Sequence, residues 1–286
     1  MKIYQVLNNA RKQLYKITKD RYSAYKEAEE ILIHILKITR ETLYVMLKQE
    51  IPEKIRIIYE NSIKKRLKGE PLQYILESEY FYGREFIVKK GVFIPRPDTE
   101  TIIDAVKALG KDIKKSITIA DCGCGTGVIA ITLLKEVKNI KMAYCYDINK
   151  KAIELTELNA KKHNVYNRIK LIYGDFFKKA QEQNKKFDII VSNPPYIRQD
   201  EIDNLQKEVK KEPKTALVAG IEGISFYKKF IKYCNSILKK NGYLIFELGD
   251  NMAETVKKLF ENKKWTFVMS MSDFRKKVRV LVYKIN

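Results

Sequence analysis

From Thr99 onward the apolar pattern of this chain changes period at short intervals. It is helical from about Thr99 to Leu109, strand-like from Ile117 to Asp121 and helical from Val128 to Val137. It is then strand-like from Met142 to Asp147, helical from Lys151 to His163 and strand-like again from Ile169 to Tyr173. Strands separated by helices return parallel to one another, so this alternation predicts an α/β fold, a parallel sheet with helices on both faces. A further strand, Phe187 to Val191, runs into "SNPPY". Beyond it the pattern predicts a helix ending before Gly242, a strand from Tyr243 to Leu248, a helix near Ala253 to Phe260 and two last strands.

The region before this alternation has a different character. Residues 1–75 carry helical periodicity without strand-like alternation and read as a small helical bundle. In "IPEKIRIIYENSIKKRLKGEP", Pro52 suits a first helical position, Ile55, Ile58, Tyr59, Ile63 and Leu67 recur at helical spacing, and Gly69 with Pro71 ends the run. A second helix, Ser23 to Lys37, has Ala28, Ile31, Leu32, Ile35 and Leu36 as its stripe, with His34 an interior or edge residue. Residues 76–97 form two strand-like runs around Gly83 and a Lys-Lys-Gly turn, closing in Pro-Arg-Pro, and read as a β-hairpin linker. The expected organisation is therefore 1–75, 76–97 and 98–286.

Composition narrows the setting. The start has no apolar stretch of signal-peptide length behind its basic residues, and no run approaches the roughly 18 apolar residues of a membrane span, so a cytoplasmic protein without a membrane partner is expected. Cys122, Cys124, Cys145 and Cys234 lack disulfide-framework spacing, and His34 and His163 lie far from them in sequence, which argues against a metal site. A net charge of +21 suggests attraction to acidic partners. The lysines are dispersed along the chain among Ile and Asn, which favours a compositional bias over a built nucleic-acid patch.

Two loops carry chemistry. "ADCGCGTGVIAI" sets Gly123, Gly125 and Gly127 between a strand and a helix, with Cys124 and Thr126 interleaved. At that place an open parallel sheet binds nucleotide-like ligands, and bare backbone with a helix N-terminus allows close approach. The spacing is G-x-G-x-G, without the pyrophosphate fingerprint or a P-loop lysine, so dinucleotide and ATP are poorly supported. Asp147 ends the next strand, where a carboxylate can accept both hydroxyls of a ribose. Asp175 and Phe176 follow the third strand and offer an acceptor for an adenine amino group and an aromatic face for its ring. Each feature alone reads as turn, helix cap or core. Together, at the ends of successive strands, they favour an adenosine-containing cofactor without a pyrophosphate, and S-adenosyl-L-methionine fits.

The second loop, Asn193-Pro194-Pro195-Tyr196, should face the cofactor's reactive end. An amide or aromatic-amine nitrogen is a weak nucleophile because its lone pair is delocalised. The Asn193 side-chain oxygen and the Pro194 carbonyl, accepting its protons, would orient that lone pair, while Tyr196 stacks on a planar group. The prolines end the strand ladder and stiffen the loop, since each fixes φ and lacks an N–H. The plainer alternative is a strand terminator with an ordinary turn.

"DCGCGTG", Asp147, "GDFF" and "NPPY" together resemble the class I S-adenosylmethionine-dependent methyltransferases that act on planar nitrogens. "GEPLQYI", "FIPRPDTE" and "NPPYI" followed by "EPKTALVAG" are similar, more narrowly, to the peptide-chain release factor glutamine methyltransferases. The resemblance runs from about Gly69 to the C-terminus. It implies a Rossmann-like, seven-stranded methyltransferase sheet with a small N-terminal helical bundle that helps grip the release factor. It implies methylation of the glutamine N5 in the Gly-Gly-Gln motif of class I release factors, S-adenosyl-L-homocysteine as product, and a monomer with no direct need of nucleic acid. Cofactor contacts would fall on Gly123, Cys124, Gly125, Thr126, Gly127, Asp147, Asp175, Phe176 and Asn193. Catalytic and substrate contacts would fall on Asn193, Pro194, Pro195 and Tyr196. Cys122 and Cys124 stand where relatives more often have Leu and Thr or Ser, and Phe176 where some have tryptophan. Arg198 to Ala219, including Glu212-Pro213, is the expected lid. The competing readings are a ribosomal-protein glutamine methyltransferase, a DNA or RNA base amino methyltransferase, and an inactive methyltransferase fold used for binding.

Overall fold

The computed structural model describes residues 1–110 and 116–286. They divide into two units, Met1–Ser78 with Gln206–Lys211, and Glu79–Leu205 with Glu212–Asn286.

The first unit holds α1 (Ile3–Thr18), α2 (Arg21–Leu36), α3 (Arg40–Met46), α4 (Glu53–Leu67) and α5 (Leu72–Leu76). Side-chain caps start two of them: Asp20 accepts from the Ser23 amide at 2.6 Å and Thr39 from the Thr42 amide at 3.3 Å. Leu14, Ala28, Ile31 and Leu32 fill the core with Tyr59, whose hydroxyl donates to the Ala28 carbonyl. Ile58 departs from the expected stripe and is 42 % exposed. The buried row on α4 runs Ile55, Tyr59, Ile63 in steps of four, and a residue adjacent to Tyr59 is turned about 100° away from it. Pro52 caps α4 one place before its first turn, and His34 is exposed. Arg66 is nearly enclosed and reaches Glu27 and Glu208, so the Gln206–Lys211 segment is tied to this unit by an ion pair.

The second unit begins at Glu79, inside the hairpin of β1 (Ser78–Phe81) and β2 (Arg84–Ile87), which turns at Tyr82 and Gly83, both at positive φ. The hairpin packs firmly: Phe81 and Phe86 join the main core, and His163, beside Phe86, meets the Glu85 carbonyl. After α6 (Glu100–Leu109) come β3 (Ile117–Cys122), α7 (Val128–Glu136), β4 (Ile140–Asp147), α8 (Lys150–Lys162) and β5 (Ile169–Tyr173). Next are α9 (Phe176–Glu182), β6 (Phe187–Ser192), α10 (Lys214–Leu217), α11 (Ser225–Ile237) and β7 (Leu238–Glu247). The unit ends with α12 (Ala253–Leu259), β8 (Trp265–Ser272) and β9 (Val278–Ile285).

The strands form one seven-stranded sheet in the order β5-β4-β3-β6-β7-β9-β8. β3 to β7 are parallel, and β9 runs antiparallel to both β7 and β8. Central strands such as Phe187–Ser192 are buried on both faces, which is why they read as continuous apolar runs. One core lies on each face, the first centred on α6 and α7, the second on α11 with Phe177, Phe230 and Phe246. Two details differ from the sequence expectation. The residues after Asp175 form a helix, and β7 starts at Leu238, where its pairing with Phe187 is irregular. No helix among the described residues is long and apolar enough to cross a membrane.

Candidate active site

From β3 the chain proceeds outward through β4 and β5, while β6 proceeds the other way to β7, so the order reverses between β3 and β6. The carboxyl ends of an open α/β sheet leave a crevice at such a point. A cavity occupies it, and Gly123, Cys124, Gly125, Thr126, Asp147, Asp175, Phe176, Asn193, Pro194, Pro195 and Tyr196 all line its wall. Every expected site residue is brought there except Gly127.

The glycine loop is shaped by its backbone. Gly123 and Gly125 have φ of +80° and +56°, and an added Cβ at either would meet nothing within 4 Å, so left-handed backbone rather than crowding calls for glycine there. Gly127 has a different task. At φ +81° it precedes α7, and a Cβ there would lie 2.8 Å from Thr156 Cγ2, so it seats the loop on α8 behind the cavity. Thr156 Oγ1 donates to the Gly125 carbonyl at 3.0 Å, and Asn159 Nδ2 to the carbonyls of Thr126 and Ile87. Both side chains are fully buried. Their signal in the sequence is two polar residues three apart within the apolar stripe of a helix.

Asp147 is bound to that loop. Its Oδ2 accepts from the Gly125 amide at 2.9 Å and its Oδ1 from the Asn149 amide at 2.8 Å. Burial raises its pKa, against these two amides, which favour the charged form. Each carboxylate oxygen has a second lone pair, so two acceptor positions remain for a diol. Asp175 caps α9 by accepting from the Lys178 amide at 3.0 Å, and Phe176, 4 % exposed, sits edge-on to Tyr146 and Phe177. An aromatic wall, bare loop backbone and a diol-accepting carboxylate fit an adenosine-containing cofactor.

The other wall is the Asn193–Tyr196 loop. Ser192 Oγ donates to the Cys122 carbonyl at 2.7 Å and joins the end of β6 to the end of β3. Asn193 Nδ2 donates to Thr99 Oγ1 at 2.9 Å, and the Thr99 hydroxyl favours the charged form of the buried Glu247 carboxyl. Gly249 and Gly223 make room for the loop: a Cβ on the first would stand 2.8 Å from the Tyr196 ring, on the second 2.7 Å from the Tyr196 carbonyl oxygen. Beyond Tyr196, Ile197 pairs with Leu217 and Ala219. The Pro-Arg-Pro-Asp-Thr segment braces this side. Arg96 pairs with the buried Glu212, which also accepts from the Ile94 amide, and Asp98 meets Arg279 at 3.3 Å. Glu247, Gly223 and Gly249 escape motif reading because each is one residue in a separate segment, while Thr99 lies within "FIPRPDTE", which by itself does not show its tie to Asn193.

A family model described as methyltransferase small domain matches residues 85–247, and one described as PrmC N-terminal domain matches residues 5–76. The release factor glutamine methyltransferase of Clostridium acetobutylicum is 36 % identical over 284 residues, covering 99 % of this chain and 98 % of that protein. The protein of the same name from Aquifex aeolicus is 37 % identical over 262 residues, covering 92 % and 91 %. Among solved structures, the hMettl16 catalytic domain in complex with MAT2A 3'UTR hairpin 6 superposes with a TM-score of 0.54 at 14 % identity over 81 % of each chain, a likeness of fold alone. The switch-point cavity, the two family-model matches and near full-length relatives agree: the chain belongs to the release factor glutamine methyltransferase family.

Proposed function

We propose that this protein transfers a methyl group from S-adenosyl-L-methionine to the side-chain amide nitrogen of the glutamine in the Gly-Gly-Gln motif of class I release factors. The observation that carries the reading is the position of Asn193, at the end of β6 on the wall of the switch-point cavity, with its nitrogen already engaged by Thr99. Relatives spanning nearly the whole chain bear the name of that activity.

Bound S-adenosyl-L-methionine supplies a methyl group on a positively charged sulfur, which is electrophilic enough to alkylate a weakly nucleophilic nitrogen. Gly123 to Thr126 and Asp147 would hold its ribose side, and Asp175 with Phe176 would hold its adenine. Asn193 Oδ1 and the Pro194 carbonyl accept the two protons of the substrate amide, so its lone pair is directed rather than averaged, a gain of position instead of basicity. Tyr196, beside Gly249, flanks the planar amide. No histidine serves as base: His163 is held against the hairpin and His34 lies in the helical unit. The nitrogen, once alkylated, releases its proton to water. The helical residues 1–75 grip the release factor, residues 98–286 carry the chemistry, and the enzyme works as a cytoplasmic monomer.

The test is incubation with labelled S-adenosyl-L-methionine and, separately, a class I release factor, the same factor with Gly-Gly-Ala in place of Gly-Gly-Gln, ribosomal proteins and nucleic acid. Label on the release factor that vanishes in the alanine form is expected. Label on nucleic acid or ribosomal protein instead would overturn the substrate assignment.

A further inference from the structure

The Asn193 amide is useful only one way round. Its oxygen must face the substrate, because the substrate amide offers protons and an –NH2 in the same place would repel them. Nothing in Asn193 itself decides this, since the two ends of a carboxamide have nearly the same shape. The decision lies in what stands behind it. Asn193 Nδ2 meets Thr99 Oγ1 at 2.9 Å, and on its other side the Thr99 hydroxyl stands by the carboxylate of Glu247 at the end of β7 and favours its charged form. Thr99 is 3 % and Glu247 2 % exposed, so water does not replace either partner. A hydroxyl has one proton, and an ionised carboxylate can only accept. The Thr99 proton therefore points to Glu247, and its lone pairs are left for a donor, which among the ends of Asn193 is Nδ2 alone.

We propose that Thr99 and Glu247 are positioning residues that set the orientation of the Asn193 amide and so present its oxygen to the substrate. This deepens the functional reading above and rests on it. The chain is directional: carboxylate, hydroxyl, amide, cavity. It joins the Pro-Arg-Pro-Asp-Thr segment to the acceptor loop, and so gives a physical reason for the Thr of "FIPRPDTE".

The direction depends on the charge of Glu247. One oxygen, Oε2, has no hydrogen-bond partner among the described residues, and burial pushes the carboxyl up to about 7. The groups that face it are Thr99, Arg96 and Asp98 from the segment before α6, Arg279 from β9, Tyr196 from the acceptor loop and Tyr227 from α11. Arg279 is shared with Asp98, Asp250 and Asp273, which limits what it offers Glu247. Once protonated, Glu247 can donate to Thr99, and the Thr99 proton is then free to turn toward Asn193 and admit the wrong amide orientation.

Three variants and one spectroscopic reading test this. Thr99→Val keeps the shape and removes the hydroxyl; it should lower kcat about tenfold or more, with release-factor KM and cofactor Kd within about twofold. Thr99→Ser should restore kcat to within about threefold. Glu247→Gln should lower kcat by a factor like that of Thr99→Val and abolish a fall in kcat on acidification through about pH 7. In the free protein, isotope-edited NMR of the Asn193 side-chain amide should follow that titration in the wild type and stop following it in Glu247→Gln and Thr99→Val. Wild-type kcat in Thr99→Val, or an Asn193 signal indifferent to Glu247, would overturn the proposal. The NMR reading needs no substrate, so it stands or falls separately from the release-factor assignment.

Discussion

The two walls of the cavity are built on different plans. The wall from β3, β4 and β5 is a local object: loop backbone shaped by positive φ at Gly123 and Gly125, and an Asp147 carboxylate held by two backbone amides. The wall around Asn193 is assembled from segments far apart in the chain, with Thr99 94 positions from Asn193 and Arg96 116 from Glu212. One wall depends on backbone conformation, the other on side chains holding one another. The first should bind cofactor however the second is altered, and damage to the second should appear in turnover.

Exchange at the centre of each wall would break this comparison most sharply. Asn193→Ala should lose turnover by about 10²-fold or more while cofactor Kd stays within a small factor. Near-normal turnover would remove Asn193 from the reaction. Asp147→Ala should do the reverse and weaken cofactor binding by roughly 10- to 100-fold, as expected for lost hydrogen bonds to a charged group, measured by equilibrium titration. An unchanged Kd would take Asp147 out of the site.

An effect on stability instead of turnover comes from a carboxyl behind the first wall. Asp121, at the end of β3, accepts from the Ala130 amide, is fully buried, and its pKa is pushed up to about 7 from 3.8, chiefly by burial. The folded chain then binds a proton that the unfolded chain has lost, so stability from this group is full below about pH 4 and falls as pH rises toward 7. Asp121→Asn removes the dependence. The stability difference between variant and wild type should shift toward the variant by on the order of 4 kcal/mol across that window, measured by denaturant unfolding. A constant difference would mean that Asp121 is ionised in the fold. The smallest effect is steric: Gly249→Ala crowds the Tyr196 ring and should reduce kcat about fivefold with cofactor Kd unaltered, within the cost of modest overpacking. Equal losses in kcat and cofactor affinity would show that the walls are coupled.

The same contrast explains what could be read from the sequence. The alternation from Ile117 to Val191 predicts the parallel sheet because each strand and helix is long enough to show its own period. The ends of β3, β4 and β5 could be placed because strand order follows from chirality and short connections. Gly127, expected at the cofactor, is absent from the cavity lining and lies close against Thr156, since a spacing of glycines does not say which face each serves. The α9 helix is short and opens with an aromatic pair, so its period is hidden. Glu247, Gly223 and Gly249 were illegible for a different reason, and Thr99 was legible only as part of "FIPRPDTE", without its partner. Their roles arise only when β3, β6, β7 and the segment before α6 come together, and no local pattern records that meeting. Asn193 was legible because two prolines after a buried strand are costly unless the loop has a use.

The central claim is that the acceptor loop directs a carboxamide nitrogen to the methyl donor. It is tested most directly by allowing the enzyme one round of methylation on a class I release factor and locating the methyl group by fragmentation mass spectrometry. The account predicts a single methyl on the side-chain nitrogen of the Gly-Gly-Gln glutamine, absent with Asn193→Ala. A methyl on another residue, or the same product from Asn193→Ala at an undiminished rate, would contradict it.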